Sequence, residues 1–159
     1  MNRTPRRTTG LIALALCLSL AASGCGGGDD NDASNAYVSS VNDIQTELVA
    51  AYQRVASQVT STTPAGDDGA TFKKLDEALA ESITKMRAVK APEKVSKLHT
   101  ELVTVLDGYE EDLAAAAEGL ASGEDARVTS ARAKLVKDTS SLSIAFSRKI
   151  NEINAKLRG

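Results

Sequence analysis

Apolar side chains return every three or four positions from about residue 35 to the C-terminus, with charged and polar residues between them. Tyr37, Val41, Ile44, Leu48, Tyr52, Val55 and Val59 form one such stripe, and Phe72, Leu75, Leu79, Ile83, Met86 and Val89 form a second. Val95, Leu98, Leu102, Val105, Tyr109, Leu113, Ala116 and Leu120 give a third. The fourth runs through Val128, Ala131, Leu135, Thr139, Leu142, Phe146, Ile150, Ile153 and Leu157. A period near 3.6 places each set on one face of a helix, and no stretch alternates with the period of two that a strand requires.

Turn-forming residues separate the stripes. Ser61 to Gly69 (STTPAGDDG) collects breakers between the first two, and Pro92 stops the second while supplying a first helical residue for the third. Ser122-Gly123 closes the third, with Gly123 suited to a left-handed position just past the helix end, and the fourth starts near Glu124. Four amphipathic helices on short connections predict an all-α domain over residues 35–159, a four-helix up-down-up-down bundle. The third and fourth helices are expected to be the longest. Gly108, in the middle of the third, is expected to mark a bend or a close contact, since glycine there costs about 1 kcal/mol relative to alanine.

The N-terminus follows different rules. Arg3, Arg6 and Arg7 precede an apolar run of 12 residues, Leu11 to Ala22 (LIALALCLSLAA), too short for a bilayer-spanning helix of about 20 residues but suited to an export signal. Threonines and Gly10 follow the arginine pair, favouring general secretion over twin-arginine export. Ala22-Ser23-Gly24-Cys25 resembles the lipobox of bacterial lipoproteins, in which a small-residue triplet precedes the cysteine that becomes the first mature residue. Where the family usually has Leu three positions before that cysteine, this chain has Ala22. The resemblance implies that residues 1–24 are a lipoprotein signal peptide, that cleavage follows Gly24, and that Cys25 carries a diacylglycerol thioether. It also implies a lipid-anchored, extracytoplasmic protein at the membrane or envelope. The low-aromatic, alanine-rich domain resembles small helical lipoproteins in style, without a diagnostic motif.

Residues 25–34 contain Gly26-Gly27-Gly28-Asp29-Asp30-Asn31-Asp32-Ala33-Ser34 after the cysteine, with no apolar group larger than alanine. They are expected to form a flexible Gly/Asp tether. Both cysteines are accounted for by this reading: Cys17 leaves with the signal and Cys25 is lipidated, leaving no thiol for redox or metal chemistry. Loss of three arginines leaves 16 basic against 21 acidic residues, a mature net charge of -5. An acidic chain with 3% aromatic residues and no Trp is not organised to bind nucleic acid.

Catalytic groups are sparse. His99 is the single histidine, and Ser96 stands where a Glu-x-x-His pair would need its glutamate. It is expected to be a partly exposed helix residue. No serine lies in a GxSxG or SxxK context, and no glycine-rich phosphate loop follows a strand. Asp107, Glu110 and Glu111 share one face of the third helix, a pattern more typical of a solvated acidic surface than of a metal site. No catalytic residue, cofactor or metal site is therefore assigned.

Charge is unevenly distributed along the expected bundle. Lys85, Arg87, Lys90, Lys94, Lys97, Arg148, Lys149, Lys156 and Arg158 fall toward the tether, opposed chiefly by Glu93 and Glu152, while acidic residues collect at the far end. A basic end facing anionic headgroups is one expectation from this asymmetry. The sequence thus favours a non-enzymatic, membrane-anchored bundle serving as a binding or spacer module, with an envelope protein as possible partner. The alternative is a bundle that binds a small ligand or cation, with Tyr37, Tyr52 and Tyr109 as polar tips inside its core. A filled core would count against that alternative, and an exposed apolar strip on a long helix would favour a protein partner.

Overall fold

The computed structural model describes residues 28–58 and 65–158. These form four helices: α1 (Gly28–Gln58), α2 (Ala65–Ala88), α3 (Ser96–Ala121) and α4 (Asp125–Arg158). A single 3₁₀ turn, Glu93–Val95, precedes α3. No strand occurs among the described residues, and the all-α four-helix bundle expected from the stripes is the architecture observed.

Cross-helix pairs establish the up-down-up-down course. Between α3 and α4, Glu101 meets Lys149, Tyr109 meets Thr139 and Asp112 meets Lys134, so one number rises as the other falls. Arg87 reaches Asp107 from α2 to α3, and Lys85 reaches Glu47 from α2 to α1. One end of the bundle therefore holds the start of α1, the α2–α3 corner and the end of α4. α2 packs extensively on α3, as α3 does on α4, whereas α1 meets α2 more sparsely.

The main core runs the length of this assembly through Tyr37, Val41, Leu79, Ile83, Leu102, Leu106, Leu113, Phe146 and Ile150. A smaller cluster of Leu120, Val128 and Ala131 fills the distal end. Two glycines allow that end to close. A Cβ on Gly69 would lie 2.9 Å from the backbone nitrogen of Ala121, and one on Gly119 would lie 2.8 Å from the Ala131 methyl. Gly123 has φ 69° and ends α3 as expected, while the Ser122 amide donates to the Glu118 carbonyl at 3.1 Å.

Three boundaries differ from the sequence reading. α1 starts at Gly28, so the described part of the expected tether, including Asp29, Asp30 and Asp32, is helical. α2 starts at Ala65, which draws Gly69 into the helix rather than the turn. Pro92 flanks the 3₁₀ turn with ψ 146° instead of opening α3, and Val95 breaks the helical path at φ -123°, ψ 4°. The longest helices are consequently α4 and α1, with 34 and 31 residues, not α3 and α4. Gly108 has no heavy atom within 4 Å of an ideal Cβ, so it is not the close-contact point expected from its position.

Candidate functional site

Polar groups inside the core are the first place to look for a function. The most connected of them is His99, which is only 8% exposed, in contrast to the partly exposed residue expected. α3 carries it inward because it continues the run Val95, His99, Leu102, Leu106, Tyr109, all buried. Its Nδ1 lies 3.3 Å from the Tyr37 hydroxyl of α1, and the two rings meet edge to face at a centroid separation of 5.6 Å. The imidazole also hydrogen-bonds the Met86 carbonyl in the last turn of α2. That arrangement fits a neutral ring whose N–H donates to Met86 while Nδ1 accepts from Tyr37.

Burial pushes His99 below its ordinary pKa, outweighing the opposite influence of the Met86 carbonyl. One imidazole thus joins three helices, adding a donor to a carbonyl that also accepts from the Val89 amide at 3.1 Å. The Tyr37 phenol is itself pushed up to about 12 by burial.

A second polar cluster lies nearer the middle of the bundle. The Tyr109 hydroxyl and Thr139 Oγ1 are 2.9 Å apart, and Tyr52 also hydrogen-bonds Thr139. Burial raises both phenols, Tyr109 to about 12. All three tyrosines considered as ligand-facing tips therefore spend their hydroxyls on neighbouring side chains. Next to Tyr109, the missing side chain of Gly108 leaves a surface depression of about 310 Å³ walled by Val105, Asp112, Asp138 and Leu142.

The charged residues are rearranged by pairing. Lys85 bridges Glu47 and Glu81, Arg87 pairs with Asp107, and Lys149 bridges Glu101 and Glu152. Three members of the expected basic end are thereby neutralised. Asp32, exposed near the start of α1, lies at that same end. Lys94 also donates to the Leu157 carbonyl at 3.0 Å, fastening the end of α4 to the α2–α3 corner. Part of the basic end that the sequence pattern suggested is therefore paired with acidic residues.

Asp107 of the acidic trio is engaged by Arg87 at 2.8 Å, and no group of three or more candidate metal ligands occurs among the described residues. At the distal end, Asp68 is 1% exposed and one of its oxygens takes a hydrogen bond from Arg132 at 2.7 Å. Cys25 and the preceding Ala22, Ser23 and Gly24 lie outside the described residues. No described helix is long and apolar enough to cross a membrane.

Among the described residues, the outer surface of α4 carries the large apolar groups left in solvent. Val136 is 49% and Ile144 64% exposed, about two turns apart on the longest helix. Ile144 borders an open depression of about 680 Å³ whose described lining, from Ser143 to Ala155, belongs entirely to α4. Sequence periodicity gives no hint of this feature, because neither residue belongs to the core stripe. No protein-family model, curated protein or solved structure matches the chain.

Proposed function

We propose that the protein is a non-enzymatic, lipid-anchored helical bundle of the bacterial envelope, acting as a binding or spacer module for an envelope protein. The observation that carries the partner-binding reading is the exposure of Val136 and Ile144 on the longest helix while the core tyrosines are satisfied internally. Apolar groups left in water on a polar helix favour association with a complementary surface. The anchor is supported by the export-type N-terminus and by Ala22-Ser23-Gly24-Cys25, which ends three residues before α1 begins. Such spacing leaves little slack between a lipid on Cys25 and the bundle.

Fractionation of a lipoprotein-competent bacterium expressing the protein and a Cys25→Ala variant tests the anchor. The wild type is expected in the membrane fraction and the variant outside it; equal partition of both would overturn the anchored reading. An Ile144→Ser substitution tests the partner surface. It should reduce site-specific crosslinking from α4 to one envelope protein without lowering the melting temperature, whereas unchanged crosslinking would remove α4 from the account.

A further inference from the structure

We propose that His99 is a proton-operated fastener that holds α1 against the rest of the bundle when neutral and releases its N-terminal half when protonated.

The two hydrogen bonds of the ring respond differently to a proton. When acid adds H⁺ to Nδ1, that nitrogen becomes a donor and can no longer accept from the Tyr37 hydroxyl 3.3 Å away. The Tyr37 hydroxyl can turn to accept from it, but its own proton then points away from the acceptor that the structure gives it, at a residue 2% exposed, while the ring carries a charge in a buried position; both cost stability until water reaches them. The Met86 carbonyl, by contrast, keeps its donor and gains from facing a cation at the end of α2. Protonation therefore reverses the bond to α1 and strands its phenol proton, while the tie between α3 and α2 is preserved.

The surroundings make this a selective effect. Tyr37 is the titratable group that faces the ring from α1, and α2 presents the uncharged Met86 carbonyl. No charged group of the described residues on α3 or α4 perturbs the imidazole. α1 is also the helix with the sparser packing, against the extensive α2–α3 and α3–α4 interfaces. A local opening of α1 is consequently the least costly way to hydrate the charged ring. If Cys25 is lipidated, the helix so released is the one joined to the anchor; that consequence rests on the proposed function, while the release itself does not.

Hydrogen–deuterium exchange with peptide mass analysis tests the fastener on the intact protein, taken from whichever fraction contains it. Between about pH 7.5 and about pH 5, after correction for intrinsic exchange, α1 peptides around Tyr37 should lose protection relative to α3 and α4 peptides. His99→Gln should abolish that selective response. Tyr37→Phe, which keeps the ring and the buried imidazole, should open α1 already at neutral pH and retain a smaller pH response. A uniform response of all four helices would overturn the proposal, as would a selective pH response retained in His99→Gln. Lipidation, read separately from intact mass, does not alter these outcomes.

Discussion

Two glycines on α3 should respond oppositely to the same substitution. Gly108→Ala introduces a methyl group that meets no heavy atom within 4 Å and removes the cost of glycine in a helix, a gain of about 1 kcal/mol. Gly119→Ala gains at most the same amount, but its methyl would lie 2.8 Å from the Ala131 methyl. Carbon atoms prefer about 3.5–4.0 Å, so α3 and α4 must separate or distort, at about 1–3 kcal/mol. The variants should therefore differ by about 1–3 kcal/mol, with Gly108→Ala melting about 3–6 °C higher than the wild type and Gly119→Ala at or below it.

Thermal and urea unfolding followed by circular dichroism provide the measurement. The double variant Gly119→Ala with Ala131→Gly isolates the contact: removing the opposing methyl should recover most of the packing cost, giving a favourable coupling of about 1–3 kcal/mol. Equal melting temperatures for the two alanine variants, or additivity in the double variant, would refute the close approach of α3 and α4 at this point.

Other perturbations follow from the polar core and its packing. Tyr109→Phe leaves Thr139 with one fewer partner and should cost about 1 kcal/mol in urea unfolding, and Thr139→Val should cost more because it deprives both Tyr52 and Tyr109. Leu113→Ala, at a fully buried site, should cost about 2–5 kcal/mol by the same assay. The folded-state pKa of His99 is depressed, so its neutral form contributes stability above the unfolded value of about 6.5, and this is lost as pH falls through that value toward the folded one; urea titrations across that range should show the decline, absent in His99→Gln. Tyr37 and Tyr109, raised to about 12, remain protonated in the folded state where an unfolded chain has ionised, so stability should fall as pH rises from about 10 toward 12, with phenolate absorbance appearing together with unfolding.

The core stripes of α2 and α4 were legible because their apolar periodicity has little competition: Leu75, Leu79, Ile83 and Met86, then Leu142, Phe146, Ile150 and Ile153, are buried as expected. α3 was more ambiguous. From Val95 the steps can be taken as 98, 102, 105, 109 or as 99, 102, 106, 109; both are helical, and the fold buries the second set, His99 and Leu106 included. Leu98 and Val105 pack only partly against the core. A tool as local as turn propensity also failed at Gly69, where a breaker-rich context concealed a glycine needed for contact with Ala121 in another helix. Charge counting along the chain likewise located the basic groups but missed which of them are paired across helices. Nothing in the linear sequence specifies that Lys149 will meet Glu101, or that Arg87 will meet Asp107, until the helices are in register.

The most direct test of the account is the intact mass of the protein purified from a lipoprotein-competent bacterium, beside that of Cys25→Ala. The account predicts a wild-type chain beginning at Cys25 and heavier by a diacylglycerol modification, which is absent from the variant. A wild-type chain with an unmodified Cys25 would contradict it.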